Sequence, residues 1–386
     1  MYRIGVEEIE AAAAVIRSGD LFKINDGLKA TERCEEDLKR MFGSRYAVLM
    51  TSGKAALVSA LVGMGIGPGD EVIVPAYTYI ASAIAVLATG AVPVIAEVDE
   101  SLTIDPLDVE KKISRHTKAV MPVHIQGFPC DMDAFAGLAK KYNIKILEDA
   151  SQADGGAYKG KRLGTVGDAG ALSFNQFKII SAGEGGALLT DDKTIFERAF
   201  IYHDSSAVAF FGGQLDEISE PPFCGNEYRT NEIASAILRE QLKKLDGILS
   251  DLRRNKKLLM EALRNDFSFI KSNDIEGDCG TTAAFWFESE ELARRFAASV
   301  GGVLPIDTGK HVYTHWTPVL EKRGAFHPLM NPYNMPANKT LNHNYAKDMC
   351  PKTLDILSRT VYVGVNPDRT ADDVEKLAAA CRKAKA

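Results

Sequence analysis

The chain has 386 residues, 46% hydrophobic and 25% charged, a balance that supports a sizeable core and two packed lobes. A formal charge of −6 and a pI near 5.8 argue against a nucleic-acid partner, which demands a basic patch or stripe. The six cysteines, at 34, 130, 224, 279, 350 and 381, form no CxxC pair and no short Cys/His cluster, so no metal site is expected and they read as reduced, mostly buried thiols.

Residues 1–17 form an amphipathic run containing Glu7, Glu8 and Glu10. It resembles neither a signal peptide nor an Arg-rich transit peptide, so a cytoplasmic protein is expected. The apolar stretch 80–98 is broken by Gly90, Pro93 and Glu97 and reads as helix, turn and strand rather than a membrane span. Around it, short apolar runs alternate with helix-period segments. Strands are expected at 71–74, Val92–Ala96, 119–123 and 144–147, with a helix at Met132–Tyr142 and a turn at 67–70. This is the pattern of an α/β chain with a mostly parallel sheet, whose ligands sit beyond the carboxyl ends of the strands. After Pro221-Pro222 a long charged helix is expected over 231–265, with Arg253, Arg254, Lys256 and Lys257 on a solvated face and a second lobe beginning within it. Strand-like pieces at 283–287 and 360–365 precede a terminal helix at 371–383, and no repeat or low-complexity tract interrupts the chain.

Four segments carry candidate chemistry. The apolar strand before Glu148-Asp149-Ala150-Ser151-Gln152 ends in two carboxylates. An aspartate held near a pyridine nitrogen keeps that nitrogen protonated, although the same residues suit a helix N-cap. In 171–178, Lys178 lies among apolar neighbours ahead of Gly183, Gly185 and Gly186. Burial favours the neutral amine that attacks an aldehyde, although a lone lysine of this kind also reads as a snorkelling surface residue. Thr51-Ser52-Gly53-Lys54 opens an amphipathic helix whose free N–H groups suit a phosphate; a Ser-capped structural helix is the plainer reading. Val74-Pro75-Ala76-Tyr77-Thr78-Tyr79 runs a strand into two aromatics, either core residues or a stack for a flat ring. Together the four supply phosphate grip, ring stacking, pyridine-nitrogen partner and Schiff-base lysine, which is the equipment for pyridoxal phosphate.

In these segments, in 65–75 and in Tyr158-Lys159-Gly160, the chain resembles the DegT/DnrJ/EryC1/StrS aminotransferases, which act on keto sugars and keto cyclitols. The resemblance runs from Ile4 to about Leu238. It implies the type I fold of pyridoxal-phosphate enzymes, aspartate aminotransferase-like: a mostly parallel seven-stranded sheet flanked by helices, plus a smaller α/β C-terminal domain. Residues 1–245 would then form the N-terminal arm and cofactor-binding domain, and 246–386 the small domain. By the same resemblance Lys178 carries pyridoxal 5'-phosphate, Asp149 meets its ring nitrogen, Gln152 its phenolic oxygen and Tyr79 its face. Ser173 and the amides of Gly53 and Lys54 cup the phosphate. A segment of the neighbouring subunit completes the cup, implying an obligate homodimer with interfacial sites.

Gly225-Asn226-Glu227-Tyr228-Arg229 departs from the family, with Glu227 in place of the usual Asn; Asn226 is the expected substitute and Lys54 a compensating charge. The presence of Lys178 separates the chain from relatives that dehydrate sugars with His there. A short loop between Lys178 and Gly183 is similar to that of aminocyclitol and aminohydroxybenzoate enzymes. L-Glutamate or L-glutamine is the implied donor and ping-pong the implied order. Tyr313, His315, Trp316, His327 and 331–334 suit either an acceptor pocket or packing, and His124 and His203 read as structural. The alternatives are a dehydratase or aromatising synthase on the same residues and a non-catalytic cofactor-binding regulator.

Overall fold

The computed structural model describes residues 2–205 and 218–385. Helices α1 (Val6–Ser18) and α2 (Ala30–Phe42) precede β1 (Tyr46–Met50) and α3 (Gly53–Gly63). Then come β2 (Glu71–Pro75), α4 (Ala81–Ala88), β3 (Val92–Ala96), α5 (Pro106–Lys112), β4 (Thr117–Val120), α6 (Met132–Tyr142) and β5 (Lys145–Asp149). A hairpin of β6 (Ala157–Tyr158) and β7 (Lys161–Arg162) leads to β8 (Ala169–Ser173), β9 (Gly186–Thr190) and α7 (Lys193–His203). The long α8 (Glu232–Leu263) is followed by β10 (Ser268–Phe269), β11 (Thr282–Trp286), α9 (Glu290–Val300), α10 (Thr317–Leu320), α11 (Pro351–Ser358), β12 (Thr360–Gly364) and α12 (Ala371–Lys385).

The large sheet has seven strands in the order β1-β9-β8-β5-β4-β2-β3. It is mostly parallel, as expected: β9 alone runs antiparallel to its neighbours β1 and β8. Every residue of β2, β3, β8 and β9 is buried, because helices cover both faces and the strands read as continuous apolar runs. The smaller sheet, β10-β11-β12, is antiparallel. Phe267, Phe285 and Phe296 interlock edge-on and tilted beneath it, and α9 and α12 pack there through Ala293, Phe296, Val374 and Ala378.

Two expectations fail on burial. Helix α3 is not amphipathic: Gly53, Ala55 to Leu61 and Gly63 are all buried, since α3 is wedged between the sheet and α4 and α7 rather than lying at the surface. The solvated face of α8 is also interrupted. Lys256 is buried and paired with Asp278 at 2.6 Å, while Arg253 donates to the Asp278 carbonyl at 2.6 Å, because the 274–281 loop folds back over α8. Helix α8 runs unbroken through residue 245; Leu238 to Leu252 serve the large-sheet core and Leu259 and Leu263 the small one. Five cysteines are buried and Cys224 is exposed. Among the described residues no helix is long and apolar enough to cross a membrane.

Candidate active site

Strand alternation separates the two carboxylates that end β5. Glu148 points away from the site, wholly buried, accepting from His124 at 3.0 Å and from the amides of Gly164, Val166 and Gly167 at 2.9, 2.6 and 2.7 Å. His124 Nδ1 accepts from the Cys130 amide at 3.1 Å, so its proton lies on Nε2 and the ring is a structural bridge. Asp149 points the other way, where Ser82 Oγ donates to it at 2.8 Å and the Ser151 amide at 3.1 Å. The hydroxyl of Thr78 lies 2.8 Å from Ser82 Oγ; since Ser82 spends its one proton on Asp149, Thr78 donates to it.

Strand β8 lies beside β5, with Ala171 opposite Asp149, so the segment that follows it emerges next to that carboxylate. This is the loop that carries Lys178. It is closed by Phe174 N–H to Gly185 O at 2.9 Å and Gln176 N–H to Gly183 O at 3.0 Å, the latter needing Gly183 at φ +86°. Lys178 is half-buried, and Phe177 beside it is 82% exposed, so the lysine is not sealed among apolar groups.

At the start of α3, Ser52 caps the helix by accepting from the Ala55 amide at 3.1 Å. A Cβ on Gly53 would stand 2.8 Å from Ser173 Cβ and 3.0 Å from Ser151 Oγ, so the bare backbone of Gly53 converges with two hydroxyls at a helix N-terminus. That is a cradle for an anion. Lys54 is exposed at its rim. Gln152 Oε1 accepts from the Gln126 amide at 3.1 Å, which leaves its NH2 group to donate into the site; Gln126 is held at φ +52° for this, with its carbonyl accepting from Thr281 at 2.7 Å.

Tyr79 follows β2 and is 43% exposed. Its ring leans on His311, with centroids 5.4 Å apart. The 308–312 segment is stitched to this loop by Thr78 N–H to His311 O at 2.9 Å and Ile80 N–H to Lys310 O at 3.0 Å. Burial lowers the pKa of His311, and the nearby Lys178 charge lowers it further against the Thr308 carbonyl. Tyr313 and Trp316, by contrast, are wholly buried, donating to the Lys347 and Lys310 carbonyls at 2.6 and 2.8 Å; they are core, while His315 and His327 are exposed.

Asn226 is spent on Tyr202, at 2.5 Å through its side chain and 2.7 Å through its amide. Glu227 pairs with Arg229 at 2.8 Å, so within the chain Arg229 and not Lys54 meets its charge. Ser82, Asp154 and His311 were not singled out in the sequence: Ser82 hides in an apolar helix, Asp154-Gly155 reads as a turn, and His311 reaches the site only through tertiary pairing. Asp154 is wholly buried, with neither carboxylate oxygen hydrogen-bonded.

The model of the DegT/DnrJ/EryC1/StrS aminotransferase family matches residues 3–287. The chain is 33% identical to the GDP-perosamine synthase of Escherichia coli O157:H7, over 79% of this chain and 84% of that one. It is 32% identical to the L-glutamine:2-deoxy-scyllo-inosose aminotransferase of Streptomyces lividus, over 81% and 76%. Other curated relatives are matched over 63% and 61% of their own length. A solved structure of 3-amino-5-hydroxybenzoic acid synthase superposes with a TM-score of 0.79 at 25% identity, covering 99% of this chain and 97% of that one.

Proposed function

This chain belongs to the DegT/DnrJ/EryC1/StrS aminotransferase family, and from that premise we propose that it moves an amino group from L-glutamate or L-glutamine to a keto sugar, nucleotide-linked or free, or a keto cyclitol. The observation that carries the reading is the pairing of β5 and β8. It sets Asp149, oriented by Ser82 and the Ser151 amide, beside the loop that bears Lys178.

The residues fit pyridoxal 5'-phosphate. The cradle of Gly53, Ser151 and Ser173 suits its phosphate, with the Lys54 amide in the same helical turn, and Asp149 its ring nitrogen. The donor face of Gln152 suits its phenolic oxygen, and Tyr79 one face of its ring. When bound, pyridoxal phosphate supplies an aldehyde that takes up the donor nitrogen and a ring that draws off the electrons of a broken C–H bond. Lys178 Nζ would hold the cofactor and, as a free amine, would take up and return the proton that the reaction moves. The hydrogen bonds from Ser82 and the Ser151 amide aim the Asp149 carboxylate, which would face the ring nitrogen. Departure of the keto acid before the acceptor enters makes the order ping-pong.

The exposure of Phe177 next to a reactive lysine supports a homodimer in which a second copy covers the site. The partner's 225–229 segment is then the candidate for closing the phosphate cradle, with Asn226 and Glu227 at its tip.

An absorbance spectrum tests the reading. Protein mixed with pyridoxal phosphate is expected to show a visible band that L-glutamate or L-glutamine bleaches, and Lys178→Ala is expected to lack the band. A parent protein without the band would sink the proposal. A band untouched by either donor would remove both from consideration, and the product mass of the acceptor distinguishes amination from loss of oxygen.

A further inference from the structure

We propose that Gln126 is a positioning residue for Gln152, and that two threonines at the entrance to the small sheet, Thr281 and Thr282, hold it in that role. This rests on the functional reading above for what Gln152 meets.

Gln126 lies in the turn after β4, and that turn is laid against the end of β5: His124 N–H donates to Asp149 O at 3.1 Å. The Gln126 N–H then donates to Gln152 Oε1 at 3.1 Å. A backbone amide can only donate, so this contact decides which end of the Gln152 side chain faces which way. Its oxygen is turned to the backbone and its NH2 group is left for the site. With the side chain reversed, donor would stand against donor at Gln126, and an oxygen would point into the site, where a negatively charged phenolic oxygen would repel it.

The orientation of Gln152 therefore depends on where the Gln126 N–H points, and the turn does not take that conformation for nothing. Gln126 has φ +52° and ψ +20°, the left-handed region that residues other than glycine seldom occupy and that persists where the surroundings impose it. Here the small sheet imposes it. Thr281 Oγ1 donates to the Gln126 carbonyl at 2.7 Å and Thr282 Oγ1 to its side-chain Oε1 at 3.2 Å. One residue on, the Gly127 carbonyl accepts from the Cys279 amide at 3.1 Å, and a Cβ on Gly127, at φ +82°, would stand 2.6 Å from Cys279 Cβ. The two threonines are fixed in turn: Val365 N–H donates to Thr281 O at 2.8 Å, and Thr282 lies opposite Gly364 of β12. The donor face of Gln152 is thus set from the small sheet through one residue, by hydrogen bonds at every step.

The pH midpoint of the visible band of protein loaded with pyridoxal phosphate tests this. A donor to the phenolic oxygen stabilises the negative charge left when the neighbouring proton departs, so losing the donor raises the midpoint. Gln152→Ala is expected to raise it by about one pH unit, and Thr281→Val, which keeps the shape of the side chain and removes its hydroxyl, by about half as much. Thr281→Ser, which keeps the hydroxyl, is expected to titrate like the parent. In the Gln152→Ala background Thr281→Val is expected to add nothing, because its effect passes through Gln152. A Thr281→Val curve superimposed on the parent's, or a shift that persists undiminished without Gln152, overturns the proposal. So does an unshifted Gln152→Ala, since the amide that Gln126 orients would then not meet the ring oxygen. Should Thr281→Val fail to fold, Thr282→Val takes its place under the same criteria. A parent without any band removes the functional reading and this one with it, whereas a parent with the band and an unshifted threonine variant removes this one alone.

Discussion

Ser82 Oγ donates to Asp149 Oδ2 at 2.8 Å and is itself the acceptor for the Thr78 hydroxyl at 2.8 Å, so a residue of helix α4 holds a carboxylate at the end of the fifth strand. On the proposed reading, in which Asp149 meets the ring nitrogen of the cofactor, this relay would serve the functional machinery as well as the scaffold.

Ser82→Ala is therefore expected to weaken pyridoxal phosphate retention and slow the donor half-reaction by about tenfold to a hundredfold. Because Ser82 is wholly buried, unfolding is followed in parallel. Half-reaction rates within about twofold of the parent would show that the Ser151 amide suffices to aim Asp149.

Gly186 stands between the ends of β1 and β8, opposite Met50 and Ser173. A Cβ there would overlap the Ser52 carbonyl and the Gly53 amide, all backbone, so nothing flexible can yield. Gly186→Ala is expected to cost about 3 kcal/mol and to displace the start of α3, lowering cofactor affinity as well. Gly247→Ala, in α8 with open space around it, is the contrast: it is expected to stabilise by about 0.5–1 kcal/mol. Urea midpoints of the two variants check both signs.

The parts of this site legible in the sequence are those whose signal is local. Asp149 ends an apolar run and Lys178 follows one, so strand periodicity brings both forward, and the parallel pairing of β5 and β8 puts the loop that carries Lys178 after the strand next to Asp149. Asp154 was invisible because Asp-Gly is also the commonplace spelling of a turn; only the packing of Gly155 on Leu245 and Leu249 and of Gly156 on Cys279 turns it inward. His311 is placed by backbone pairing with 78–80, a long-range contact with no periodic signature. Lys256 misled for the opposite reason. Its helix is charge-rich, and the Asp278 that draws it inward sits on a loop whose return over α8 no pattern announces.

The 225–229 segment gives a second contrast between neighbours. Arg229 is mostly buried, donating to the Asp204 carbonyl at 3.0 Å and lying over the Phe22 ring at 5.1 Å, whereas Glu227 is 55% exposed. Arg229→Lys is expected to destabilise by about 1–2 kcal/mol through the lost planar fork and stack. Glu227→Gln is expected to change stability by less than about 0.5 kcal/mol and, with a negative charge gone from the proposed phosphate cup, to tighten cofactor binding. Denaturant titration and cofactor titration of the same two variants separate the effects. Unchanged cofactor binding in Glu227→Gln would mean that Glu227 does not face the phosphate.

His203 supplies a pH dependence with a definite sign. Its Nδ1 lies 2.6 Å from the Phe200 carbonyl, which fixes the ring proton there. Its Nε2 then accepts from Lys23 at 3.2 Å, and Lys23 also pairs with Glu35 at 2.9 Å. Burial and the adjacent Lys23 charge push the His203 pKa well below the ordinary histidine value, so the folded protein keeps the ring neutral where the unfolded chain charges it. The contribution is present in full above the unfolded-state pKa of about 6.5 and is lost as pH falls from there toward the folded-state pKa. Each pH unit within that window costs up to about 1.4 kcal/mol. His203→Gln, which keeps a donor and an acceptor but cannot titrate, is expected to flatten the fall in unfolding free energy between about pH 6.5 and 5. Parallel curves for parent and variant would mean that another group, not this ring, sets the acid limb.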